Sequence, residues 1–199
     1  MRIRRGDRVF IVGTTGSGKT TLAEVLLRPQ RDVVILDPKH MFEMDGATIT
    51  TDFAELARWP GPAPVIYRPT LPECRTGLPW FWAWIWGRGH TIAYVDEVMA
   101  ITPQTKLPDM FAMCVQMGRQ KEIGVWCATQ RPSRIPVPLL SESEHTFTFR
   151  LRHPADIKRM AEYTDPRVLE DPARGHDFWY YGDREQVLAK TNVKKLKIT

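Results

Sequence analysis

The octapeptide Gly13-Thr14-Thr15-Gly16-Ser17-Gly18-Lys19-Thr20 constrains this chain more than any other stretch. It reads G-x-x-x-x-G-K-T, the spacing of a loop that wraps a phosphate chain. Glycine supplies backbone dihedrals that other residues avoid, so the loop can close around an anion. Its amide groups, at the start of a helix, point positive charge at that anion. Lys19 is the candidate for the β- and γ-phosphates, and the Thr20 hydroxyl for Mg²⁺. Thr21 follows directly and is counted with the loop.

The flanks suit the motif. Arg8 to Val12 is a short apolar run of strand type, and Thr21 to Leu27 reads as a helix stopped near Pro29. Strand, loop and helix in that order are the setting the loop needs. A chance glycine-rich turn would lack it.

Further strand signals follow at Asp32–Leu36, Val65–Tyr67, Thr91–Val95, Gly124–Ala128 and Thr146–Leu151. Helical stretches fall between them at Asp52–Trp59, Pro79–Trp86, Asp109–Gln120 and Ala155–Tyr163, with Asp52 as an N-cap. Arg68 to Gly77 and Pro103 to Pro108 read as loops. Phe178–Tyr181 and Gln186–Ala189, joined through Gly182-Asp183, read as a C-terminal β-hairpin. Alternation of strand and helix predicts an α/β fold, a mostly parallel sheet with helices on both faces. One domain of 199 residues is expected, with a core over about 8–163 and an appendage over about 165–199.

The fourth strand carries the second chemical signal. Four apolar residues run into Asp96-Glu97. Asp96 at the strand end suits the Mg²⁺ shell, and Glu97 suits deprotonation of an attacking water. A solvated acidic loop is the plainer reading of such a pair, but the phosphate loop upstream outweighs it.

Composition excludes several classes. The net charge of +5 is compatible with a polyanionic partner without requiring one. Cys74, Cys114 and Cys127 show no metal-ligand spacing, so reduced thiols and an intracellular setting are expected. No apolar run approaches the roughly 20 residues that span a bilayer, so no membrane insertion is expected. The run Pro79-Trp80-Phe81-Trp82-Ala83-Trp84-Ile85-Trp86 suits a short helix ended by Gly87, with aromatic residues all around it. One side must pack in the core. The other side suits a subunit interface or a place under a loop, or less readily a platform for single-stranded nucleic acid.

Together these motifs resemble the FtsK–HerA superfamily of DNA-pumping ATPases. The resemblance rests on the Gly13–Thr20 loop, Asp37-Pro38-Lys39 after the second strand, Tyr94-Val95-Asp96-Glu97, Gly118-Arg119, and Ala128-Thr129-Gln130-Arg131-Pro132. It covers roughly residues 8–163. It implies a RecA-like P-loop NTPase of the ASCE type, using ATP and Mg²⁺, assembled as a homo-oligomer ring around double-stranded DNA. A hexamer is expected, with a pentamer as the alternative. Gln130 matches the family's γ-phosphate sensor. Arg119 matches the arginine that reaches a neighbouring subunit's site, with Arg131, Arg150 and Arg152 as competitors. The short chain most resembles the genome-packaging ATPases of double jelly-roll capsid viruses. That implies packaging into a preformed capsid, a capsid vertex as partner, and a location in the infected cell's cytoplasm or on the virion. A small plasmid or chromosome translocase is the alternative, and a P-loop kinase or regulatory NTPase the alternative of a different class. Loop position alone suggests Arg68, Arg75, Arg88 and the region of Lys106 as the DNA-facing basic residues.

Overall fold

The computed structural model describes residues 1–102, 106–172 and 175–196. The parallel strands are β1 (Val9–Val12), β2 (Val33–Leu36), β3 (Thr48–Thr50), β4 (Val65–Tyr67), β5 (Ile92–Asp96), β6 (Gly124–Thr129) and β7 (His145–Phe149). Two more, β8 (Asp177–Gly182) and β9 (Val187–Asn192), form the predicted hairpin. β8 pairs antiparallel with β7, so the hairpin extends the same sheet. The nine strands lie in the order β3-β4-β2-β5-β6-β1-β7-β8-β9.

Strands buried on both faces explain why β1, β2, β5 and β6 read as unbroken apolar runs. Alternate residues feed two cores. Val9 and Ile11 face α1 (Lys19–Leu27), which contributes Leu22, Ala23, Leu26 and Leu27. Phe10 and Val12 share the other core with α4 (Pro79–Arg88) and α5 (Asp109–Met117). There Trp82 stacks on Phe111 with ring centroids 3.9 Å apart and planes 5° apart. Truncating a buried ring of this kind costs about 3–5 kcal/mol.

The tryptophan-rich helix is claimed by its own chain. Phe81, Trp82 and Ile85 are buried. Trp80 packs on Phe53, while Arg88 lies over Trp84 and Lys121 over Trp86. Gly87 does not end this helix as expected. The helix runs on to Arg88 and is closed by Gly89 at φ 61°, because Arg88 has a partner to reach. Its guanidinium donates to both Asp32 carboxylate oxygens, at 3.0 and 2.9 Å.

Three elements, β3, α3 (Leu71–Arg75) and α6 (Pro138–Ser141), are absent from the sequence expectation. β3 is a three-residue edge strand on β4. α3 lies inside the expected loop, started by a reciprocal capping box between Thr70 and Glu73. α2 (Phe53–Ala57) begins as expected at Asp52, whose side chain accepts from the Ala54 amide at 2.7 Å. α5 gives way after Met117 to a 3-10 turn over Gly118–Lys121. α6 (Pro138–Ser141) and α7 (Pro154–Tyr163) complete the helices of the described residues. The expected loop from Pro103 lies partly outside them.

At the end of the sheet where β1, β6 and β7 begin, charged groups are packed into a closed network. Asp7, Arg8, Glu144 and His145 are all buried. Asp7 accepts from Arg184 at 2.6 Å and meets His145 Nε2 at 3.1 Å. Arg8, Arg119 and Arg184 all pair with Glu144. Burial works against the Asp7 charge, but His145, the Arg4 amide and Arg184 outweigh it and bring its pKa down to about 2. Cys74, Cys114 and Cys127 are buried free thiols in the core that faces α4 and α5, and burial raises all three.

Candidate nucleotide site

At the opposite end, β1 stops at Val12 and the loop Gly13–Gly18 carries the chain into α1. A Cβ on Gly13 would meet Phe149 and Ser17 at 2.6 Å, so only glycine fits between strand and loop. Gly18 has φ 102°, a left-handed backbone that admits Lys19 as the first residue of the helix. The Lys19 ammonium turns back over the loop, donating to the Gly13 and Thr14 carbonyls at 2.9 Å each. Burial lowers the Lys19 pKa, with Glu97 opposing that shift.

Sheet order decides what stands beside this loop. β6 lies between β1 and β5, with Thr129 opposite Val12 and Ala128 opposite Asp96. Thr129 and Gln130 therefore sit level with the phosphate loop on one side and the acidic pair on the other. Thr15 donates to Gln130 Oε1 at 2.8 Å. Glu97 is held from two directions. Thr129 donates its hydroxyl to Oε1 at 2.7 Å, and Lys39 donates to Oε2 at 3.0 Å. The Glu97 backbone is left-handed, φ 78° and ψ 73°. A non-glycine residue there carries strain of order 1–3 kcal/mol, which its neighbours must offset. Asp96 accepts from the Tyr94 hydroxyl at 2.9 Å, and burial raises its pKa.

These groups line one cavity of about 190 Å³, which includes Thr15, Lys19, Thr20, Lys39, Asp96 and Glu97. Gly16 and Gln130 also border it. Of the sequence candidates, Gly13, Thr14, Thr15, Gly16, Ser17, Gly18, Lys19, Thr20, Thr21, Asp96, Glu97 and Gln130 are thus gathered in and around the loop. Lys39 belongs to the Asp37-Pro38-Lys39 motif, and its place at Glu97 is not legible from the sequence. Among the described residues no group of three or more His, Cys, Asp or Glu could hold a metal by itself. Thr20 and Asp96 would share a cation with the phosphates.

Arg119 stands apart. It lies in the turn before β6, whereas Gln130 follows β6, and six strand residues span about 20 Å. It cannot serve the loop of its own chain. The competing arginines are nearer. Arg131 pairs with Asp156 at 2.8 Å and Arg150 with Asp171 at 3.1 Å. Arg152 and Arg131 line a second cavity of about 370 Å³ beside Thr14, Thr15 and Gln130. Two DNA-facing expectations need correction. Arg68 is joined to buried Asp37 at 3.0 Å and Arg88 to Asp32, so both are spent inside the protein. Arg75 and Lys106 are exposed.

No protein-family model matches the chain, and no curated protein matches it. Solved structures do. The genome packaging NTPase B204 from Sulfolobus turreted icosahedral virus 2, in complex with ATP-γS, superimposes with a TM-score of 0.74 at 16% identity. The match covers 96% of this chain and 98% of that one. At this identity the likeness shows a shared fold, a mixed α/β architecture around a mostly parallel sheet. Two larger proteins share it. EssC (ATPases 2 and 3) from Geobacillus thermodenitrificans gives a TM-score of 0.61 at 14% identity, covering 94% of this chain and 39% of that one. The pCW3 conjugation coupling protein TcpA gives 0.62 at 13% identity, covering 94% and 60%. The expected α/β architecture with a mostly parallel sheet and C-terminal hairpin is borne out. No helix among the described residues is long and apolar enough to cross a membrane.

Proposed function

We propose that this chain is an ATP-driven translocase of double-stranded DNA, working as a homo-oligomer ring and packaging a viral genome into a preformed capsid. The observation that carries the reading is Glu97, anchored by Thr129 and Lys39 and facing Lys19 across one small cavity. A fixed carboxylate opposite the phosphate-loop lysine suits removal of a proton from water, hence hydrolysis rather than transfer to a second substrate. B204 superimposes at a TM-score of 0.74, against 0.61 for EssC and 0.62 for TcpA, and that supports the packaging reading.

In this scheme Lys19 offsets charge on the β- and γ-phosphates, Glu97 takes the proton of the attacking water, and Gln130 contacts the γ-phosphate. Thr20 and Asp96 offer the hard oxygen donors that suit Mg²⁺, and a divalent cation would oppose the burial that raises the Asp96 pKa. When bound, Mg²⁺ neutralises charge on the phosphate oxygens. Arg119 serves the neighbouring subunit's site, which makes the ring a condition of turnover. A hexamer is proposed, with a pentamer as the alternative, acting at a capsid vertex in the infected cell's cytoplasm or on the virion, without membrane insertion.

The test is ATP turnover with and without long duplex DNA, beside the native mass of the assembly. Turnover stimulated by duplex DNA in a ring supports the reading. Turnover indifferent to DNA, or phosphate passed to a small acceptor, overturns it.

A further inference from the structure

The C-terminal hairpin meets the phosphate loop on the side away from Glu97. β7, β8 and β9 flank β1 on one side, and β6 and β5 on the other. Lys19, Thr20, Asp96 and Glu97 mark the β6–β5 side as the place of the terminal phosphate. A nucleotide laid along the loop must then send its nucleoside toward β7–β9. A second cavity opens there, of about 460 Å³, bordered by Gly18, Thr21, His176, Asp177, Asn192, Val193 and Lys194.

This cavity is built rather than incidental. His176 Nδ1 meets the Ser17 carbonyl at 3.1 Å and fastens the bend before β8 to the phosphate loop. The same ring stands 3.1 Å from where a Cβ on Gly18 would be. Asn192 donates to Asp177 Oδ1 at 3.1 Å and accepts from the Lys195 amide at 3.2 Å, which fixes the turn after β9. Val193 and Leu196 pack on the core that includes α1. The lining residues include the His176 imidazole, the aliphatic Val193, Thr21 and Lys194, with Asp177 as the one carboxylate. Those are surfaces for stacking a base and for accepting from ribose hydroxyls.

We infer that the hairpin and the turn after it form the nucleoside subsite of the phosphate loop, so that base and ribose rest on His176, Asp177 and Val193. The inference rests on the nucleotide-site reading above. It also assigns work to the segment that follows β7. Because Asn192 is the one side-chain amide among the lining residues and is already tied to Asp177 and the Lys195 amide, the subsite reads shape and stacking more than the base edge. ATP and GTP should bind within about tenfold of one another.

The probes are ATP, GTP and inorganic tripolyphosphate, bound to the full chain and measured by calorimetry. Wild type should bind ATP and GTP at least tenfold more tightly than tripolyphosphate. Val193→Trp fills the cavity, and should bring ATP affinity down to that of tripolyphosphate, whose own affinity stays within about twofold. An ATP affinity unchanged by Val193→Trp, or an equal loss for both ligands, overturns the subsite. Should the variant fail to fold, hydrogen exchange on wild type decides. ATP must protect residues 187–196 beyond what tripolyphosphate does, and equal protection overturns the subsite. Failure of the parent reading looks different: wild type then binds neither ATP nor tripolyphosphate.

Discussion

The two ends of strands β1, β6 and β7 carry the same raw material in opposite conditions. At the starting end, Asp7, Glu144, Arg8, Arg119, Arg184 and His145 satisfy one another. At the finishing end, Lys19, Lys39, Asp96 and Glu97 also combine buried carboxylates with cations, yet they border open space. Closed pairing holds a fold together, because removing one partner strands a buried charge. Open pairing leaves carboxylate and ammonium groups facing a place where a polyanion can sit. Burial and ion pairing alone would not separate these clusters. The glycine loop between β1 and α1 does, since it keeps the finishing end from being filled with side chains.

Arg119 offers the sharpest way to break that comparison, for it belongs to the closed end by contact and to the open end by proposal. Arg119→Ala should lower turnover by about 10³–10⁵ while ATP binding persists. Mixed with Glu97→Gln subunits under exchange, it should recover activity, because an intact Glu97 then meets an intact Arg119 across an interface. No recovery despite demonstrated exchange would return Arg119 to a purely structural role. Glu97→Gln alone should cost about 10²–10⁴ in phosphate release with the melting temperature close to wild type. A wild-type rate would remove Glu97 from the chemistry.

The closed end should answer in stability instead. Asp7→Asn leaves His145 and Arg184 without their carboxylate, and should destabilise by ~3–5 kcal/mol in denaturant titration, with turnover per folded molecule retained. The smallest effect is the pH dependence of Asp7. Its folded pKa of about 2 lies below the ordinary 3.8, so its contribution is complete above 3.8 and lost as pH falls toward 2. That contribution is about 2 kcal/mol, and it should be missing from the acid limb of the stability curve of Asp7→Asn. Identical acid limbs would contradict the assignment.

What the sequence made legible was what lies close together along it. The phosphate loop and the Asp96-Glu97 strand end each put their chemistry within a few residues, and both border one cavity. Lys39 was opaque because its partner Glu97 is 58 positions away. Arg68 and Arg88 looked like free surface charge because their carboxylates, Asp37 and Asp32, are likewise distant in sequence. α3 was readable in principle, since Thr70 and Glu73 spell a capping box, but the prolines around them suggested a loop. β3 has three residues and too little pattern to announce itself.

The buried thiols carry a practical consequence. Cys74, Cys114 and Cys127 are at most 2% exposed, and burial pushes Cys114 up to about 12. Maleimides and iodoacetamide attack thiolates, so the folded chain should stay unlabelled at neutral pH. A single cysteine placed at exposed Met41, beside the phosphate cavity, would then be the one addressable handle on the molecule. A dye there would report nucleotide arrival in real time, with no native thiol to remove first.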